Sequence, residues 1–129
     1  MFTYEQKTGK LRNSVRSLVG TGYSGNGIGL NNASFQNVHD VGPLPRGLWT
    51  IELIADEHGK PVDHNGKHAP VFRLLPKEGT QTFGRSDFEF HGDLIGHVGE
   101  NIASKGCVIL NHDSRLKILV SSDRELEVI

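Results

Sequence analysis

Glycine sets the terms on which this chain can fold. Sixteen glycines interrupt 129 residues, and Pro, Asn, Asp and Ser add further turn signals between the apolar runs. The runs are therefore short, and short strands dominate the expected structure. Residues 2–5 and 11–15 read as a hairpin around Lys7-Thr8-Gly9, and Leu18-Val19 begins another strand. The clearest pattern is 48–55, where Trp49, Ile51 and Leu53 alternate with Thr50, Glu52 and Ile54, and Trp49 reads as core. Residues 71–75 form the next strand, stopped by Pro76. Phe88 and Phe90 alternate with polar neighbours on a half-buried strand that carries His91 near its end. Residues 107–110 are a short buried strand with Cys107 at its beginning. Leu116, Leu119 and Val120 fall at helical spacing behind Asp113 as N-cap, and 125–129 alternates and closes the sheet. The expected fold is one mainly β domain over 1–129 with one short helix.

Two stretches read as connections. Residues 20–32 are rich in Gly, Ser and Asn and form a long loop with Tyr23 in its middle, and 56–70 is a polar link. Composition removes several partners. The formal net charge is −1 and no basic stretch is interleaved with aromatics, so nucleic acid is excluded. No apolar run could span a bilayer, so no membrane partner is expected. The first residues lack the basic and apolar regions of a signal peptide, which predicts synthesis in the cytoplasm and export by a non-Sec route. One cysteine allows no internal disulfide.

That cysteine carries the chemistry. Cys107 stands in Ser104-Lys105-Gly106-Cys107, sixteen residues after the histidine of His91-Gly92-Asp93. A thiol and an imidazole suffice for covalent acyl transfer, because the imidazole can take the thiol's proton and return it to a leaving amine. Gly106 lets a substrate approach the backbone and lets amide N–H groups turn toward an oxyanion. Asp93, two residues from His91, either orients the imidazole or caps the following turn, and a backbone carbonyl can do the orienting instead. Ser104 shapes the turn by hydrogen-bonding backbone. Arg85 either grips a carboxylate with its fork or forms a surface salt bridge. His58, His64 and His68 do not share a helix face and read as solvent-exposed, and His91 with Asp93 lacks the second histidine of a zinc pair, so no metal is assigned. A papain-like peptidase would place its cysteine before its histidine. A non-enzymatic β-module is the reading if Cys107 is buried.

The order His91, then Ser104-Lys105-Gly106-Cys107, resembles the catalytic motif of L,D-transpeptidases of the YkuD type. Gly42-Pro43-Leu44-Pro45-Arg46-Gly47-Leu48-Trp49-Thr50-Ile51 looks like a second segment of those enzymes. With Tyr4-Glu5-Gln6-Lys7-Thr8-Gly9, Gly22-Tyr23-Ser24-Gly25 and Gly84-Arg85-Ser86 added, nearly the whole chain resembles the type VI secretion L,D-transpeptidase effector family. The resemblance implies a YkuD-like mixed β-sheet or sandwich and an antibacterial enzyme that acts on peptidoglycan stem peptides in the periplasm of a target cell. It implies Cys107 as nucleophile, His91 as base, Gly106, Ser104 and Asp93 around them, and Arg85 and Tyr23 on the substrate. It implies no cofactor, and a cognate immunity protein and a secretion apparatus as partners. Two positions depart from the broader pattern. Lys105 stands where a second histidine is usual, and Ile109 where an arginine is usual, which leaves Arg85 or Arg115 to supply the cation. The departures favour L,D-carboxypeptidase activity and D-amino acid exchange. The alternatives are an ordinary cross-linking L,D-transpeptidase and a non-catalytic wall-binding β-module.

Overall fold

A computed structural model describes residues 1–63, 67–94 and 96–129. Its strands are β1 (Phe2–Tyr4), β2 (Lys10–Arg12), β3 (Leu18–Thr21), β4 (Tyr23–Ser24), β5 (Gly47–Leu53), β6 (Phe72–Pro76), β7 (Phe88–His91), β8 (Val108–Ile109) and β9 (Glu125–Val128), with one helix, α1 (His112–Val120). They form a single mixed sheet in the order β3-β2-β1-β9-β5-β6-β7-β8-β4. The parallel pairs are β1 with β9 and β7 with β8.

The strand order explains the shape. The first and last strands, β3 and β4, are separated along the chain by Gly22 alone. Residues 18–24 thus pair with β2 on one side, through Lys10↔Thr21, and with β8 on the other, through Tyr23↔Ile109. The sheet must curl until its two edges meet, which leaves it nearly closed and spares it long open edges. Gly22 is needed at the join, since a Cβ there would lie 1.9 Å from the Ile109 carbonyl oxygen. The loop expected over 20–32 is therefore in part the seam of the sheet. A two-residue strand has no periodicity to read, so only its partners reveal it.

Alternation puts the core inside the curl. Trp49 and Ile51 of β5, Phe72 and Leu74 of β6, Phe88 and Phe90 of β7, and Leu126 and Val128 of β9 share one cluster with Phe2, Tyr4 and Leu11. Trp49 meets Phe88 edge-on at 5.2 Å between centroids, and Phe72 meets Phe90 the same way at 6.5 Å. Burying each such ring contributes about 1.5–3 kcal/mol.

Several expectations need correction. The last strand, β9, does not close an edge but lies mid-sheet, between β1 and β5. Pro76 ends β6 from within, opposite Trp49, where a missing N–H costs little. The N-cap of α1 is Asn111, whose side chain accepts the Ser114 N–H at 2.8 Å. Asp113 sits in the first turn and pairs with Lys117 at 3.3 Å. The inward face of α1 is Ser114, Arg115 and Ile118, which turns Leu116 and Val120 to solvent. Strand β7 is buried along its whole length, not on one face. No helix among the described residues is long and apolar enough to cross a membrane.

Candidate active site

The site lies where β7 and β8 run side by side. Their register pairs Phe90 with Val108 and His91 with Ile109, so Cys107, just before β8, arrives beside Glu89. Glu89 and His91 are two residues apart on one strand and share its face. A Glu89 carboxylate oxygen, a His91 ring nitrogen and Cys107 Sγ all lie within 4.8 Å of one another. His91 and Cys107, expected as a pair, thus face the same cluster within 4.8 Å of each other. Cys107 is half-buried, and its Sγ donates to the Asp87 carbonyl at 3.6 Å.

Backbone fixes the imidazole. His91 Nδ1 lies 2.6 Å from the Gly92 carbonyl oxygen. A carbonyl can only accept, so Nδ1 carries the proton and Nε2 keeps its lone pair. Burial first, then the charge of Lys67, lowers the His91 pKa to about 4. Burial likewise raises the Cys107 thiol to about 11, against a smaller lowering by Lys67. At neutral pH the resting pair is therefore an uncharged thiol beside an uncharged imidazole. Such a base can take the proton as the sulfur attacks, without a standing thiolate.

The turn before Cys107 is built by Ser104 and Arg85. Ser104 is fully buried. Its Oγ accepts the N–H groups of Gly25 at 2.8 Å and Gly106 at 3.1 Å, and donates to the Cys107 carbonyl at 2.6 Å. Its turn-shaping role is as expected. The Gly106 amide is consequently spoken for and does not face an oxyanion. Gly106 is itself buried, at φ +135°, with Arg85 and Phe88 where a Cβ would go, at 2.6 and 2.8 Å. Its missing side chain makes room for the core rather than for a substrate.

Arg85 was expected on a carboxylate or in a surface salt bridge, and it does neither. Its guanidinium donates to the carbonyls of Gln36, Pro43, Gly42 and Lys105, and stacks 5.1 Å from the Phe88 ring centroid. It straps the 36–43 segment to the cysteine turn. Arg115 is similarly spent, on the carbonyls of Leu110, His68 and Pro70. Neither replaces the arginine missing at Ile109.

Asp93 does not orient His91. Strand β7 ends at His91, so the face-sharing of extended residues stops there, and Asp93 turns away. Its carboxylate accepts the Tyr23 hydroxyl at 2.6 Å and the Gly99 N–H at 3.1 Å. The Tyr23 oxygen in turn accepts the Ala103 N–H at 3.1 Å. Burial, and next the hydrogen bond to Asp93, push the Tyr23 pKa up, so the phenol stays a donor. Tyr23 and Asp93 therefore pin the crossover between β7 and β8.

Two residues of the site were not anticipated. Glu89 could have been found from the strand pattern, since it stands two residues before His91. Lys67 gave no signal within its polar link. Its Nζ lies 2.6 Å from Glu89, with a quarter of its side chain exposed. Above the cluster opens a cleft of about 460 Å³, lined by Lys67, Asp87, His91, Leu94, Lys105 and Cys107 among others. A larger cavity of about 670 Å³ lies by Tyr23, Asp93 and Arg115 and contains neither His91 nor Cys107.

Glu89, His91 and Cys107 are the one group of metal-ligating side chains that converges among the described residues, and Glu89 is already engaged by Lys67. His64, one of the three loop histidines, lies outside the described residues. His58 is exposed beside Glu57 at 3.4 Å, and His68 borders the larger cavity.

A family model described as the Tlde1 domain matches residues 19–128, from β3 through β9. The chain belongs to the Tlde1 domain family. That membership associates it with type VI secretion effectors. No curated protein and no solved structure matches. The span matched by the Tlde1 domain model holds every residue of the thiol–imidazole cluster and omits the β1–β2 hairpin.

Proposed function

We propose that this Tlde1 domain is an antibacterial cysteine enzyme that modifies peptidoglycan stem peptides through a thioester on Cys107. The single observation that carries the reading is the juxtaposition of Cys107 Sγ with an imidazole held in one tautomer by the Gly92 carbonyl. His91 Nε2 takes the thiol proton as Sγ attacks the carbonyl of the L-centre of diaminopimelate, just before the terminal D-alanine. Backbone N–H groups around Cys107 receive the oxyanion on this reading, and the Gly106 N–H, already given to Ser104, is not one of them. The tetrahedral intermediate collapses, the C–N bond breaks, and the imidazolium returns its proton to the leaving amine of D-alanine. Water then hydrolyses the thioester, or a free D-amino acid aminolyses it, with His91 again as base.

Removal and exchange are favoured over cross-linking. Water and a D-amino acid fit a cleft of about 460 Å³ beside an acylated Cys107 more readily than a second stem peptide does. The substrate lies outside the cytoplasmic membrane, so the enzyme works in the periplasm of a target cell. A secretion apparatus and an immunity protein are the partners that family membership supports. Treatment of purified walls followed by mass spectrometry of the muropeptides tests the reading. Tetrapeptide stems should become tripeptides, or gain a different terminal residue. A rise in diaminopimelate–diaminopimelate cross-links without those products would assign the chain to cross-linking instead.

A further inference from the structure

We propose that Lys67 is the receptor for the terminal carboxylate of the substrate, exchanging its resting partner Glu89 for that carboxylate when the substrate binds. The inference rests on the acyl-transfer reading of Cys107 and adds the group that selects a chain end. An enzyme that releases one terminal residue must distinguish a free carboxylate from a continuing chain. That carboxylate is close to the reacting centre. Two bonds separate the scissile nitrogen from the carboxylate carbon, which places it about 3–4 Å from the attacked carbonyl carbon. The sulfur attacks from about 3–3.5 Å. The receptor must therefore be a cation next to the thiol cluster.

Among the described residues, five Lys and Arg side chains border the cleft, the adjoining groove or the larger cavity, and four are unsuited, Arg73 because it is exposed and paired with Glu52 at 3.3 Å. Arg85 and Arg115 are committed to backbone carbonyls. Lys105 is solvent-exposed on the cleft wall, where water screens it. Lys67 is three-quarters covered and held 2.6 Å from Glu89, whose carboxylate belongs to the Glu89–His91–Cys107 cluster. The charge of Lys67 reaches both His91 and Cys107. Lys67 also lies where the cleft over Cys107 adjoins a second groove of about 620 Å³, the two sharing Lys67, Ser86, Asp87 and Phe88 as walls. A peptide end laid across these walls brings its carboxylate to the ammonium.

The exchange has a consequence for the base. With Lys67 neutralised by the substrate, Glu89 faces the imidazole at the moment it becomes an imidazolium, and stabilises that charge. Binding a correct chain end and readying His91 then become one event. An amide-capped or continuing chain leaves Lys67 on Glu89.

Calorimetric binding to the full chain carrying Cys107→Ala tests this, with diaminopimelyl-D-alanine and its C-terminal amide as probes. The free acid should bind at least tenfold more tightly than the amide. Lys67→Met in the same background should bring the acid down to the affinity of the amide, and Lys67→Arg should restore most of the preference. Equal binding or no binding of the two probes, or a preference that survives Lys67→Met, overturns the proposal. Circular dichroism of each variant establishes that a loss is not unfolding. The measurement uses a protein without the thiol, so a wild-type chain that fails to form a thioester would sink the enzyme reading separately.

Discussion

The two banks of the cleft over Cys107 are held in different ways. On the cysteine bank, Ser104 Oγ makes three hydrogen bonds, Arg85 makes four, and Ser24 Oγ donates to the Gly106 carbonyl at 3.0 Å. Every one of these partners is backbone. The opposite bank, in the crossover after β7, presents exposed Leu94 and Ile102. Among the described residues it is tied to the sheet mainly through the Tyr23–Asp93 pair. The difference teaches a division of labour. On the proposed acyl-transfer reading, a nucleophile must sit within a fraction of an ångström of its productive place, which gives the buried polar groups of this turn a purpose. A wall that admits substrate needs only a pin.

If that division is right, the largest effect of breaking a bank comes from Ser104. Ser104→Ala leaves two buried amides without an acceptor and the Cys107 carbonyl without its donor. It should cost about 3 kcal/mol of stability in denaturant unfolding. A loss under about 1 kcal/mol would mean that the turn is held by other groups. The pH dependence of the rigid bank's partner comes next. The folded His91 pKa is about 4, below the ordinary value of 6.5. The unfolded chain therefore binds one more proton between those values, and stability rises with pH across that window. The contribution is present in full above pH 6.5 and fades toward pH 4, by up to about 3 kcal/mol. Unfolding curves of the wild type and of His91→Gln should converge in that direction, and parallel curves would contradict a buried neutral imidazole. The smallest effect belongs to the pin. Tyr23→Phe removes one hydroxyl and should cost about 1 kcal/mol. It should also raise KM for a stem peptide more than it lowers kcat. An unchanged KM would show that the far bank does not depend on Tyr23.

The same contrast separates what could be read in the sequence from what could not. Alternation is a local signal that located β5 and β7 with His91, and the equally local apolar run Val108-Ile109-Leu110 located the segment at Cys107. The same alternation holds Glu89, whose place between Phe88 and Phe90 gives it the look of an outward polar residue of a half-buried strand. The seam at residues 18–24 was not legible, since β4 has two residues and is defined only by its partner β8. Arg85 was misread for a related reason. A guanidinium has the same fork for a ligand carboxylate and for backbone carbonyls, and only the fold decides which lies within reach. Of the two roles open to Asp93, orienting the imidazole rested on a count of two that held only while the strand lasted, and the Gly92 carbonyl holds the ring instead. Lys67 reaches Glu89 across twenty-two residues, a distance no spacing rule covers.

The central claim is that Cys107 carries the acyl group. Intact-protein mass spectrometry after rapid acid quench, during turnover of a stem tetrapeptide, tests it most directly. The wild-type chain should gain the mass of the peptide less its terminal D-alanine, on Cys107 alone, and Cys107→Ala should show neither adduct nor turnover while keeping its fold. An adduct on another residue, or turnover by Cys107→Ala, would contradict the account.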